Sequence, residues 1–386
     1  MHPRPDYRSH AVIPVAPAGV PPQLAAPDPR DPDPVSALRR AIADAVALLP
    51  ALTDVDPHSR YGTHALTVLW LEADKTPHTR RAYFADLSDW LGWCQRTGLD
   101  PMRARRADVD AWKASITVTA KDGSMRKASA STIARRLASV SSWYKYLEDN
   151  DAAERNPVSA VKRPKLGRQS PHPALGEADT AALLDHAGNR AARNATEASY
   201  RDAALLVLLF HTGLRVSGVT TALVEDLGYD RGHRILWYTK KGQTRDFVPL
   251  APTVLASLDA YLARRAVRAG TPVGQLTGPL FVTVPHPHDP TKSGGKELTQ
   301  RDVWLTLRRL ANQAGIAAAD TITPHTTRRT VATTLLANGV EIEKVQDLLS
   351  HNDIRVTRGY DAARHKLDSS PVYTLAQLIS RHQRAD

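Results

Sequence analysis

Residues Thr323–Tyr360 read TPHTTRRTVATTLLANGVEIEKVQDLLSHNDIRVTRGY, and they place two histidines, an arginine and a tyrosine on helical segments near the C-terminus. Pro324 suits the first turn of a helix, where its missing N–H would be unpaired anyway and its fixed φ is already helical. His325 and Arg328 then lie three residues apart, on one helical face. Val331, Leu335 and Leu336 repeat at helical spacing, Asn338-Gly339 reads as a stop, and a second amphipathic helix carries Ile342, Val345, Leu348 and Leu349. Both helices have an apolar side to bury.

The interval from His351 to Tyr360 is nine residues. At about 100° per residue an unbroken helix would set the two side chains on opposite faces. The residues between them supply a break: Asn352 or Asp353 is a good N-cap for a short helix near Ile354, and Gly359 can bend the backbone just before the tyrosine. Tyr360 is therefore expected on a re-aimed segment that can approach the histidines. A lone tyrosine in such a helix is ordinarily a half-buried packing residue, so the rest of the chain has to decide its meaning.

With 386 residues and 42% hydrophobic content, the chain can build two or three domains with real cores. A single cysteine, Cys94, rules out an internal disulfide. No basic-then-apolar start suggests secretion, and no stretch approaches the ~20 apolar residues of a membrane span. A cytoplasmic protein with no membrane partner is the expectation. The net charge is +11 with a pI near 9.8. Residues 1–57 hold five arginines and seven aspartates, which leaves +13 on the remainder. The body of the chain is thus the basic part, as suits a protein that neutralises phosphates.

Residues 1–34 hold 10 of the 27 prolines, so residues 1–57 read as a largely disordered tail with a short amphipathic helix over 35–50. That helix could cap the next domain or pack on a neighbouring subunit. Residues 58–164 read as a compact helical bundle. Leu66, Leu69 and Trp70 mark a first helix; Pro77 opens a second, with Tyr83, Leu87, Trp90 and Leu91, that ends at Thr97-Gly98; a third spans Arg106–Ile116. A polar loop over 120–128 leads to a fourth helix carrying Ile133, Leu137, Val140, Tyr144 and Leu147. Arg80, Arg81, Lys127, Arg135 and Arg136 are expected on exposed faces, where they could meet DNA backbone. Residues 165–173 close a basic, Pro- and Gly-containing stretch that reads as a linker.

Residues 174–386 form the second domain. A helix is expected around Asp179–His186, then an apolar and hence buried helix over Ala203–Phe210, stopped by Thr212-Gly213. Arg215 follows in HTGLRVSG, with Ser217 a possible cap for the next helix. An arginine delivered just past a buried helix has a rigid support for bidentate phosphate contact. Residues 234–250 alternate about Lys240-Lys241-Gly242-Gln243 and predict a β-hairpin with a basic tip. His286, His288 and Asp289 sit in a Pro-rich loop without the further ligands a metal site needs, so no metal is assigned. A helix over 300–314 leads into Thr323–Tyr360, and residues 371–380 form one more amphipathic piece.

These motifs resemble the tyrosine recombinases of the phage integrase family. The family pattern H-x-x-R, then L-G-H, then a tyrosine nine residues on is matched by His325 and Arg328, by Leu349-Ser350-His351, and by Tyr360. TGLR around the first family arginine is matched at Arg215, and a hairpin lysine directly before a glycine selects Lys241 over its neighbour Lys240. Softer matches to the family's core-binding domain are Thr79-Arg80-Arg81-Ala82-Tyr83, the Thr132–Leu137 run and Asn156-Pro157. Three positions depart from the pattern: Ser350 replaces a usual glycine, Arg329 a frequent second histidine, and Gly218 the acid usually found three residues after the first arginine. Glu225 and Asp226 are the candidates to replace that acid.

The resemblance implies a mainly α fold with a small β-sheet: a helical SAM-like core-binding domain followed by a mixed α+β catalytic domain. It implies site-specific DNA recombination or integration by a catalytic set of Arg215, Lys241, His325, Arg328, His351 and Tyr360, with Tyr360 the nucleophile that forms a 3′-phosphotyrosyl link. Double-stranded DNA is the implied partner, with a homotetramer on DNA, a Holliday junction and accessory DNA-bending proteins. No cofactor is implied. A transposase or resolvase of the same superfamily, a type IB topoisomerase, and a catalytically silent DNA-binding regulator are the alternatives.

Overall fold

A computed structural model of the chain describes residues 33–50, 61–73, 75–120, 122–165, 174–240, 244–285, 294–350, 353–358 and 360, together with Leu24 and Leu52. The chain divides into two compact units, residues 1–167 and 168–386. Helices dominate both, with small antiparallel sheets.

The first unit contains α1 (Pro34–Ala47), α2 (Thr63–Glu72), α3 (Pro77–Thr97), α4 (Arg106–Ser115) and α5 (Ala130–Glu148). Four tryptophans, Trp70, Trp90, Trp112 and Trp143, are fully buried in its core. A buried indole N–H needs an acceptor. Trp143 donates to Thr67 Oγ1 at 2.9 Å, Trp90 to Tyr144 Oη at 3.1 Å and Trp112 to Asp89 at 3.1 Å. Helix α1 buries Ile42 and Val46 in this same core and ties Arg39 to Glu72 of α2, so it caps this unit.

The polar segment expected as a loop over 120–128 is in part a hairpin: β1 (Thr117–Thr119) pairs with β2 (Met125–Lys127), Thr117 opposite Lys127. Every residue of β2 is exposed, so no inward-outward alternation marks it in the sequence.

The second unit contains α6 (Glu177–Asn194), α7 (Glu197–Thr212), α8 (Val216–Thr220), β3 (Leu227–Asp230), β4 (His233–Thr239), β5 (Arg245–Pro249), α9 (Pro252–Ala269), α10 (Gln300–Gln313), α11 (Pro324–Ala337), α12 (Ile342–Leu348) and α13 (Ile354–Arg358). Helix α7 is its axis: Leu205, Leu206, Leu208 and Leu209 are completely buried, and α6, α9 and α11 pack around them. The expected hairpin is β4–β5, with Trp237 opposite Phe247. Strand β3 adds an antiparallel edge that the sequence concealed, since Gly228 and Asp230 are poor strand formers. Ser217 lies inside α8 rather than capping it, because Arg215 occupies the N-cap position.

Candidate active site

The site begins where α7 ends. Gly213 has φ +63, and a Cβ there would meet Leu349 Cδ2 at 2.7 Å. Only glycine satisfies both the left-handed backbone and the contact. Its carbonyl therefore stands clear to accept from Arg328 Nη1 at 2.9 Å. Two residues on, Arg215 opens α8 half-buried.

Helix α11 supplies the second wall. Thr323 is its N-cap, accepting from Thr326 N at 3.3 Å, and Pro324 fills the first turn. His325 is consequently exposed on the first turn, while Arg328, one turn deeper, is only 4% exposed. Arg328 also donates through Nη2 to the Leu349 carbonyl. Burial first, and then the charge of Arg215, pull the Arg328 pKa down to about 10, with Tyr360 acting in the opposite sense. The guanidinium stays charged at neutral pH. Among the described residues no carboxylate forms an ion pair with Arg215 or Arg328. Two neighbouring arginines that no described carboxylate pairs with favour an anion between them, with Asp353 also in the lining of the cleft.

Tyr360 completes the group. The short helix expected near Ile354 is α13, which starts there, while Asn352 and Gly359 lie outside the described residues; the chain leaves α12 through Ser350, a non-glycine residue at φ +47. The tyrosine N–H donates to Thr357 O at 2.9 Å, its carbonyl accepts from Thr333 Oγ1 at 3.4 Å, and the ring packs with Ala332, Val345 and Leu349. Its hydroxyl lies 3.4 Å from His325 Nε2. Arg329, standing where a second histidine is frequent, holds its guanidinium carbon 5.7 Å from the tyrosine ring centroid, a cation over a π face.

Arg215, His325, Arg328 and Tyr360 thus line one cleft of about 490 Å³, joined by Lys240 and Ser350. Lys241 and His351 lie outside the described residues, as do His286, His288 and Asp289 and the amphipathic piece at 371–380. Among the described residues no group of three metal-binding side chains occurs.

Glu225 and Asp226 do not replace the acid missing at Gly218. The Glu225 carboxylate accepts from the Gly278 N–H at 3.0 Å, while Asp226 caps Leu223 N at 2.9 Å and pairs with Arg245. Asp353 is the carboxylate that lines the cleft; Asp246 is not in its lining but lies 2.6 Å from Nζ of the lining residue Lys240. Sequence reading named Lys240 only as the neighbour of Lys241 and missed Asp246 and Tyr238, although Gly218 and Ser350 were the signal: both departures touch Tyr238.

The five arginine and lysine candidates of the first unit differ among themselves. Arg80 is not on an exposed face. At 4% exposure it donates to Leu71 O at 3.0 Å and Lys75 O at 3.1 Å, closing the α2–α3 turn. Arg135 pairs with Asp86, and Arg136 Nη1 lies 2.8 Å from Asp89. Arg81 is half-buried, and Lys127 is exposed on the β1–β2 hairpin.

Residues 175–366 match the model of the phage integrase family, and residues 66–151 match that of the phage integrase N-terminal SAM-like domain. Tyrosine recombinase XerD of Listeria innocua is 30% identical over 297 residues, covering 76% of this chain and 91% of the relative. Among solved structures, XerH site-specific recombinase bound to a palindromic difH substrate superposes with a TM-score of 0.57 at 15% identity, covering 84% of this chain and 92% of that one. A lambda integrase dimer bound to a COC′ core site gives 0.52 at 14% identity, covering 78% and 96%. At those identities the structural likeness speaks for the fold.

Proposed function

The chain belongs to the phage integrase family of tyrosine recombinases, and from that premise we propose that it is a site-specific DNA recombinase that cuts and rejoins strands through Tyr360. The observation that carries this reading is the meeting of Tyr360, His325 and two arginines, neither ion-paired among the described residues, in one cleft.

A phosphodiester under attack gathers negative charge on its non-bridging oxygens, and Arg215 with Arg328 supplies fixed donors for it. Tyr360 Oη attacks phosphorus: a P–O bond to tyrosine forms, the bond to the 5′-oxygen breaks, and the freed 5′-hydroxyl takes a proton. A phenol of pKa near 10 must lose its own proton on the way. His325, whose Nε2 lies 3.4 Å from the hydroxyl, is the proposed acceptor, and His351 the proposed donor to the phosphate or positioner of the tyrosine. A hairpin lysine returns a proton to the leaving oxygen. Family context favours Lys241 in that role, and the position of Lys240 in the cleft favours Lys240 itself; alanine variants of each, assayed on a 5′-phosphorothiolate leaving group that needs no proton, separate them by which one is rescued.

The phosphotyrosine conserves the bond energy, so rejoining needs no nucleotide, and the cationic side chains take the part that metals play in other phosphoryl-transfer sites. Exchange between two duplexes requires four cleavages. It is proposed to run through a Holliday junction in a homotetramer on double-stranded DNA in the cytoplasm, with accessory bending proteins setting direction. Sequencing of DNA recovered as covalent adducts from denatured cells tests this reading. Wild-type adducts at one sequence, absent in Tyr360→Phe, are expected; wild-type DNA binding without adducts would instead favour the silent regulator.

A further inference from the structure

Resting on that reading of the cleft, we infer that Asp246, Tyr238 and Ser350 form a positioning clamp that takes the place of the acid missing at Gly218. It fixes both Lys240 and the turn that anchors Arg328.

The clamp is built from departures that look unrelated in the sequence. At Gly218 a Cβ would meet Tyr238 Cδ2 at 3.3 Å. The tyrosine ring occupies space that a side chain at 218 would need, and an acid there would have to displace it. Tyr238, 8% exposed, instead delivers its hydroxyl to a carboxylate on the facing strand: Oη is 3.1 Å from Asp246 Oδ2 and 2.8 Å from Ser350 Oγ. Ser350 Oγ is itself 3.1 Å from Asp246 Oδ2. The two strands hold Tyr238 directly opposite Asp246 in register.

Ser350 sits at φ +47, a backbone region that favours glycine. A serine kept there, with its hydroxyl bonded twice, has a use that glycine could not serve. What it anchors is the turn after α12. The carbonyl just before it, that of Leu349, accepts from Arg328 Nη2, and the other Arg328 nitrogen holds the Gly213 carbonyl, two residues from Arg215. On the other side the same Asp246 oxygen holds Lys240 Nζ at 2.6 Å. One carboxylate thereby links the cationic hairpin to the seat of the buried arginine, acting through serine and lysine rather than on an arginine directly. Burial alone would raise the Asp246 pKa, but the Lys240 amine, the Phe247 N–H and the two hydroxyls outweigh it and hold the carboxyl below its usual range. The anchor is therefore ionised at neutral pH.

Two measurements on the full chain test the clamp. The first follows acetic anhydride labelling of Lys240 by mass spectrometry and needs no DNA. Asp246→Asn is expected to speed labelling severalfold and Tyr238→Phe to speed it less; equal rates in all three proteins would overturn the clamp. The second is single-turnover cleavage of a nicked duplex carrying the site recovered from wild-type adducts. Ser350→Gly relieves the backbone, so thermal stability should hold or rise while the cleavage rate falls about tenfold and DNA affinity stays within twofold. Asp246→Asn should fall similarly, and the double variant no further, because both break one unit. Wild-type cleavage rates in both single variants, or losses that multiply in the double, would overturn it. Failure of the wild type to form an adduct would count against the recombinase reading, and the labelling result would still decide the clamp.

Discussion

The chain writes almost the same helix start twice, TPHTRR at Thr76–Arg81 and TPHTTRR at Thr323–Arg329, and the structure makes two different things of it. Both helices have a threonine N-cap, a proline in the first turn and an exposed histidine next. Both bury an arginine to 4% exposure that donates to two backbone carbonyls, although Nη1 of Arg80 is left without a partner. Helix start and burial are therefore closely alike. The difference lies in what the arginine faces. Arg80 closes a turn, with the charge of Glu72 opposing the effect of burial on its pKa, whereas Arg328 faces a second arginine across an open cleft beside Tyr360. A buried arginine becomes a candidate catalytic group through a second cation next to it at an open cleft.

The largest break in the comparison is expected from paired substitutions. Arg80→Ala and Arg328→Ala should each lose about 3 kcal/mol of stability, the order of a charged hydrogen-bonded group removed from the interior. Only Arg328→Ala should also lose roughly 10²–10³-fold in single-turnover cleavage, the usual effect of deleting a donor to a developing oxyanion. Thermal unfolding and cleavage per folded molecule, measured on both, check it. His78→Ala and His325→Ala sharpen the same contrast, with a loss of about 10²-fold or more for His325 alone.

A smaller effect is expected at Gly213. Gly213→Ala forces a side chain into both a left-handed backbone and Leu349, for a cost of about 2–3 kcal/mol and a displaced Arg328 acceptor. The smallest is expected where the two helix starts are alike: Thr76→Ala and Thr323→Ala should each cost about 1 kcal/mol, the usual worth of an N-cap. Unequal cap losses would mean that tertiary contacts, rather than the caps, set where these helices begin.

Much of this molecule was legible in its sequence because the decisive signals are local. Pro77 and Pro324 open helices, Gly98 and Gly213 end them in the left-handed conformation, and the apolar stretch Ala203–Phe210 of α7 is apolar because nearly all of it is buried. The approach of Tyr360 to His325 followed from spacing plus a new short helix near Ile354, which α13 supplies, whereas the left-handed turn at Ser350, a residue whose type disfavours that backbone, was not foreseen. What stayed hidden is tertiary. The edge strand β3 and the exposed strand β2 carry no alternation, α9 was not singled out at all, and Arg80 follows Pro77 like a surface residue yet turns inward. Asp246 became visible only once β4 and β5 were paired, since its partner Ser350 is 104 positions away.

The most direct measurement is to trap the wild-type protein on a nicked duplex, digest the adduct with trypsin and find the peptide that carries the nucleotide. The account predicts the short peptide spanning residues 359–364, modified at Tyr360, and no adduct from Tyr360→Phe. A nucleotide on any other residue, or an undiminished adduct in the phenylalanine variant, would contradict it.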